Sequence, residues 1–421
     1  MKQYPRLDEK LLWRKLENGL TVCIVPRPGF QKKLAYFVTD YGAIHTRYIL
    51  DGRPLVAPDG VAHFLEHKMF DLPRGEVSAE FAALGANPNA FTSYDMTAYY
   101  FSCTDHFEES LRLLLEFVST PWFTKESVDK EQGIIGQEID MTADNPDNRV
   151  FEDLMAAMYE NHPIRVNILG SRESIGSITP QVLEQCHKAF YRPENMLLCV
   201  IGDVDESFVL SEAAKVPKGE GSAEKAPFLP EPLTCSKPFV SREMEIAMPT
   251  FQLGFKCRAV DQGDEAVRRE IIGDLAAEVL FGESSELYMR LYEEGIIDSS
   301  FGGGYESIRG MSMLTASGDS HHPEKVLEAI LAQAPVLLEQ GIREEDFLRL
   351  KRSSLGRRIR DLDSFDSVCF RICAYHFSGF DYFRFPEIYD RVTARDVLAF
   401  VAENIRRDRC CLSVINPVKE N

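Results

Sequence analysis

The chain has 421 residues, of which 44% are hydrophobic and 27% charged, the balance of a soluble globular protein long enough for two or three domains. Its net charge of −19, from 47 basic and 66 acidic residues, repels phosphate backbones and anionic lipid, which argues against nucleic acid or a membrane as partner. No stretch approaches the ~18 consecutive apolar residues of a membrane-spanning helix, and the N-terminus, MKQYPRLDEKLLWRKLENG, lacks the apolar core of a secretory signal.

In chain order, the first expected elements are strands over Leu20–Pro26 and Leu34–Tyr41. A helix is expected to begin near Pro58-Asp59-Gly60, with Asp59 as its cap, and to carry Val61-Ala-His-Phe-Leu-Glu-His-Lys-Met-Phe70. Asn89–Cys103 is strand-like, and the overlapping Gly85–Tyr94 reads as a loop that feeds the β-formers of Met96–Phe101. Helices follow over Phe107–Val118, where Leu111, Leu114, Leu115 and Val118 mark one apolar face, and over Lys125–Thr142. A helix to Tyr191 and the apolar strand Met196–Ile201 close this half.

Lys215–Pro238 is rich in Pro, Gly, Ser and charge and reads as a linker, dividing the chain into residues 1–216, a linker over 217–238, and residues 239–421. The second half is expected to contain strands Phe251–Lys256 and Met311–Ser317, then the helix Ala394–Ile405 and the strand Cys410–Ile415. Both halves end in a helix, a short basic turn and an apolar strand, so duplication of one α+β domain is the expected architecture. The ten cysteines include Cys369 and Cys373, four apart on an expected helix, and the adjacent Cys410 and Cys411, but no CxxC pair. They read as buried, reduced thiols of a cytoplasmic protein.

The chemistry concentrates in the segment from Val61. His63 and His67 are four apart, so on a helix they share a face and can converge on one ion. Glu66 lies beside them, within reach of a water on that ion. This is HxxEH, the inverse of the HExxH peptidase order, and a weak signal when it stands alone. Catalytic zinc takes three protein ligands and leaves a fourth position open. The helix Lys125–Thr142 offers Glu131 and Glu138, seven apart on one face, and Gly133 and Gly136 suggest a close backbone approach to the HxxEH helix. A strand edge beside such a metal would take a peptide as an added strand.

With HFLEH, NAFTS…TAYYF and KEQGIIGQE in this order, the sequence resembles the pitrilysin/insulinase (M16) family of zinc peptidases. Matches continue through Leu16-Glu-Asn-Gly-Leu20, His162-Pro-Ile-Arg…Leu-Gly170, Phe190-Tyr-Arg-Pro-Glu-Asn-Met196 and Val200-Ile-Gly-Asp203, which covers most of the chain. The resemblance implies two similar tandem domains of the M16/LuxS-like metallohydrolase architecture, each a mostly antiparallel sheet with helices packed on it. It implies one Zn2+ per chain, with Glu138 as third ligand 71 residues after His67, and Glu131 as a carboxylate behind the ligands. It makes Glu66 the general base, and Asn89 and Ala90 the strand that receives a peptide substrate.

One departure stands out. Active family members carry an Arg and a Tyr, seven apart, on the far half, where they hold the substrate and its intermediate. Aligned on Gly295, those positions here are Leu291 and Asp298, with Arg290 and Tyr305 nearby at the wrong spacing. The implied partner is therefore a paralogous M16 subunit that supplies the pair, otherwise a second copy in a homodimer. A non-catalytic scaffold or peptide-binding subunit is the alternative, and the presence of all four metal and base residues weighs against it. His45, His187, His321 and His322 lack convergent carboxylates and read as structural or solvated.

Overall fold

The structure is a computed structural model and describes residues 1–418. Its first sheet has seven strands in the order Lys2–Tyr4, Glu9–Lys15, Thr21–Pro26, Met196–Gly202, Lys33–Thr39, Thr97–Cys103 and Asn87–Thr92. The second has five, in the order Phe239–Met244, Cys410–Pro417, Thr250–Lys256, Met311–Asp319 and Gly302–Ile308. Each sheet contains one parallel pair, Thr21–Pro26 with Met196–Gly202 and Phe239–Met244 with Cys410–Pro417, and is otherwise antiparallel. Five strands of the first sheet thus match the second in order and direction. The expected duplication of an α+β domain is what the topology shows.

The strand Met196–Gly202 is buried along its whole length, because its sheet is covered on both faces. Leu198 and Val200 face a core made with helices of their own half. Side chains alternate along a strand, so Leu197, Cys199 and Ile201 face the other way. There the covering element is the helix Phe365–Phe377 of the second half, through Phe365, Val368, Cys369, Ile372 and Cys373. The exchange is mutual. The helix Pro146–Met158 of the first half sends Leu154, Met155 and Met158 against Met311, Met313 and Cys411 of the second sheet. Gly254 of that sheet leaves the space for it: a β-carbon there would lie 2.3 Å from Met158 Sδ.

Three expected elements differ from those of the fold. Within the expected loop of Gly85–Tyr94, Asn87–Thr92 is the outermost strand of the first sheet, paired with Thr97–Cys103. Within the expected linker, Ala223–Lys225 pairs with Arg47–Leu50. Farther along, Glu231 accepts backbone hydrogen bonds from Glu160, Asn161 and His162 at 2.8–3.0 Å and pairs with Lys256 at 2.9 Å. These contacts are polar and long-range, and so leave no apolar periodicity to read. Finally, the HxxEH helix, Val61–Met69, starts after Gly60 rather than on an Asp59 cap, and its N-terminus has no side-chain cap. No helix among the described residues is long and apolar enough to cross a membrane.

Candidate metal centre

The start of the HxxEH helix is set by close backbone packing. Gly60 has φ +87°, and a β-carbon there would sit 2.3 Å from the Leu169 carbonyl oxygen. Opposite it, Gly170 has φ +73° and would place a β-carbon 2.5 Å from the Asp59 carbonyl oxygen. Two glycines facing each other let the turns touch, which a side chain at either position would prevent. The helix then buries Val61, Ala62, Phe64, Leu65 and Met69 in the first core, and this fixes the face that carries the histidines.

The second helix, Lys125–Ala143, is held at its start by a reciprocal cap. Thr124 Oγ1 accepts from the Ser127 N–H at 3.1 Å while Ser127 Oγ accepts from the Thr124 N–H at 3.4 Å. Its two glycines do not face the HxxEH helix as expected. Gly133 has no neighbour within 4 Å of a β-carbon position, and Gly136 accommodates the Arg172 guanidinium, which pairs with Asp140. The glutamates do face it.

His63 Nε2 lies 3.6 Å from Glu138 Oε1, and His67 Nε2 lies 3.7 Å from Glu138 Oε2. One ligand atom from each of the three residues falls within 4.8 Å of the others. These separations are too long for hydrogen bonds and close to the ~3.4 Å edge that ligands about 2 Å from a tetrahedral zinc would span. Two imidazoles and a carboxylate are also a donor set that catalytic zinc takes. The residues present fit the ion.

Burial holds His63 down to about 3, with the charge on His67 adding to the effect, so the ring is neutral and its lone pair free for a metal. Burial would lower His67 too, but a hydrogen bond to Glu131 and the carboxylates of Glu66, Glu131 and Glu138 carry it above its ordinary value. That bond joins His67 Nδ1 to Glu131 Oε1 at 3.0 Å, so Nδ1–H donates to the carboxylate and Nε2 is left as the nitrogen that faces Glu138 and can ligate a metal. Burial pushes Glu131 up, but the bond to His67 and the charges of His67 and Lys68 outweigh it and leave the carboxyl below its usual range. Glu66 is raised by burial, an effect that a hydrogen bond from Thr92 and the His67 charge reduce and Glu138 reinforces.

Two neighbours escaped the sequence reading. Lys68, whose side chain is 1% exposed, pairs with Asp71 and comes within 3.8 Å of Glu131. Thr92 donates to Glu66 Oε2 at 2.7 Å. A lysine inside a mostly apolar helical run was the available signal for the first. Thr92 lay in the quoted NAFTS segment, two residues beyond Ala90 and hence on the same strand face.

All six charged or imidazole residues stand on two packed helices, with Asn89 and Ala90 on the adjoining edge strand. His63, Glu66, His67 and Glu138 open into a cavity of about 510 Å3 that Ala90, Thr92, Tyr94, Phe151 and Leu169 help to line. Among the described residues its lining holds no arginine, and every lining residue comes from the first half. Leu291 is buried in the core of the second half, Asp298 accepts from Ser300, and Tyr305 packs on Gly273. None of them, nor Arg290, lines this cavity.

Residues 57–172 match the model of the insulinase family, peptidase family M16, and residues 177–354 match that of the M16 inactive domain. A zinc protease of Bacillus subtilis (strain 168), YmfH, is 35% identical over 99% of this chain and 98% of its own length. The chain is a member of peptidase family M16. The M16 fold is seen again in the crystal structure of an M16-like peptidase from Alicyclobacillus acidocaldarius, with TM-score 0.92 and 32% identity over 97% of this chain and 99% of that one. A mitochondrial-processing peptidase β subunit of Schizosaccharomyces pombe (strain 972) is 28% identical to this M16 chain, over 48% of it and 43% of that subunit.

Proposed function

We propose that the chain is the zinc-bearing subunit of a metalloendopeptidase that cuts short or unfolded peptides inside a chamber formed with a second subunit. The observation that carries this reading is the convergence of His63, His67 and Glu138 on one point, with Glu66 beside it. When bound there, zinc supplies a Lewis acid that acidifies water and polarises a carbonyl.

The chain's own residues do the rest. His63, His67 and Glu138 would hold the ion, and Glu131 fixes the His67 tautomer through Nδ1. Glu66 takes a proton from the attacking water and delivers it to the leaving amine nitrogen. Asn89 and Ala90 receive the peptide as an added strand at the edge of the seven-stranded sheet. Pro88 in that strand has no N–H and Asn89 Oδ1 accepts from the Ala90 N–H at 2.9 Å, which blunts self-association of an open edge.

The need for a partner is supported by the missing arginine in the cavity lining and by the S. pombe relative, which is the β subunit of a processing peptidase. A paralogous subunit supplying Arg and Tyr is the first reading, a homodimer the second. The ten cysteines are all unpaired thiols, nine of them buried, which suits the reducing cytoplasm.

The test is cleavage of a quenched basic peptide by the zinc-loaded chain, with Glu66→Gln as control and with and without the paralogous M16 subunit of the same organism. Zinc binding at one ion per chain together with turnover that vanishes in Glu66→Gln is the expected result. Hydrolysis by the variant at the wild-type rate would overturn the assignment of the base. Full activity of a homodimer would remove the paralogue.

A further inference from the structure

Thr92 is the last residue of the edge strand, and its Oγ1 donates a 2.7 Å hydrogen bond to Glu66 Oε2. Alternation along the strand puts Ala90 and Thr92 on the face of the HxxEH helix. Asn89 and Phe91 point the other way, the Phe91 ring lying 5.8 Å from that of Phe370 in the second half. The main chain alternates as well. The Ser93 N–H bonds the Met96 carbonyl inside the hairpin, so the backbone groups of Ala90 and Thr92 face outward, toward the open edge. One residue thus offers its main chain to an added strand and its hydroxyl to the carboxylate beside the metal ligands.

A glutamate side chain left unpinned samples several rotamers, and holding its carboxylate in one place costs entropy unless a neighbour has already fixed it. A hydroxyl bonded to a carboxylate is a short, strong, directional tether. We infer that Thr92 is a positioning residue, fixing one oxygen of Glu66 so that the other is free for proton transfer and tying that carboxylate to the strand on which the peptide lies. The inference rests on the peptidase reading above. It assigns a coupling between substrate strand and base that acts on the rate of the chemical step rather than on affinity.

The experiment compares Thr92→Val, which keeps the shape and removes the donor, with Thr92→Ser, which restores the donor, both as full-length zinc-loaded chains acting on the same quenched peptide. Thr92→Val is expected to keep one zinc and a KM within about threefold while kcat falls on the order of tenfold, and Thr92→Ser to recover most of that loss. A wild-type kcat in Thr92→Val, with Glu66→Gln inactive, would overturn the positioning role and leave the peptidase reading intact. If Glu66→Gln is as active as wild type, the base assignment falls and this inference with it. A second readout needs no turnover: a thermal-unfolding cycle on the zinc-free chain with Thr92→Val, Glu66→Leu and the double variant. Coupling between the two single losses supports the tether, and strict additivity overturns it even where the chain alone proves inert.

Discussion

At the scale of single residues, the helical period is what made the site legible. Two histidines four apart and a glutamate between them can be placed on one face from sequence, and the structure puts them there. Spacing alone offers Glu131 and Glu138 equally, the family resemblance assigns them different places, and in the fold Glu138 faces the histidine Nε2 atoms while Glu131 faces His67 Nδ1. That division predicts different losses. Glu131→Gln, which weakens the acceptor behind His67, should loosen zinc by roughly 10- to 100-fold, measured by chelator competition, whereas Glu138→Gln removes a ligand and should lose more. Lys68 and Thr92 carry only faint local signals, a lysine in an apolar run and a spacing of two from Ala90, because what each side chain touches is set by tertiary contacts. A second prediction concerns His187, which reads from the sequence as structural or solvated. Burial holds it down to about 4 while its Nε2–H donates to the Val118 carbonyl at 3.1 Å. Above pH ~6.5 both folded and unfolded chains leave this ring neutral. As pH falls from there toward 4, the unfolded chain takes up a proton that the folded one refuses, so stability drops. Between pH 7 and 5 this ring should account for about 2 kcal/mol of the loss, and His187→Leu should show a correspondingly smaller difference in denaturant unfolding at the two pH values. An unchanged difference would mean that the ring titrates normally in the fold.

At the scale of elements, the helix Lys125–Ala143 shows how a correct feature can be assigned a wrong cause. Its two glycines suggested close contact with the HxxEH helix, yet Gly133 faces open space and Gly136 faces Arg172. The contact between the two helices is made by glutamate and histidine side chains instead. It follows that Gly133→Ala should stabilise the chain by about 0.5–1 kcal/mol, since it adds helix propensity and meets nothing. The cap at the other end of the argument is Thr124, and Thr124→Ala should cost about 1 kcal/mol by leaving the Ser127 N–H without its acceptor. Denaturant midpoints at constant m would register both, with opposite signs. A destabilised Gly133→Ala chain would show that the helix is packed there after all. Strands were legible where their residues are buried and regular, and their ends differ from expectation by one or two residues. The segment Asn87–Thr92 reads both as a loop and, through the family resemblance at Asn89 and Ala90, as an edge strand, because it is half exposed and contains Pro88, features that belong to edges as much as to loops.

At the scale of the whole molecule, the duplication was visible as a repeated ending, but the interlocking of the halves was not, since it depends on which face each helix covers. Each half lends a helix to the other: Pro146–Met158 covers the second sheet and Phe365–Phe377 the first. Asp40 adds a polar clasp, pairing with Lys225 of the intervening segment and with Arg309 of the second half, both at 2.6 Å. Residues 1–216 alone would therefore expose Tyr36, Val38, Leu197, Cys199 and Ile201 on one sheet face and the apolar side of Pro146–Met158. Apolar surface of that extent, left in water, removes much of the driving force for folding at about 25 cal/mol per Å2. The full chain is expected to unfold in one cooperative transition by calorimetry. Residues 1–216 and 239–421, expressed separately, are expected to aggregate or to bind apolar dye, and to recover a folded complex when produced together. The decisive comparison is zinc binding by 1–216, which holds all four site residues. If that fragment is monomeric, melts near the intact chain and binds one zinc, the halves are independent domains and the exchanged helices contribute little. If it binds zinc only in the presence of 239–421, the second half is what keeps the metal site in shape, whatever it adds to the chemistry.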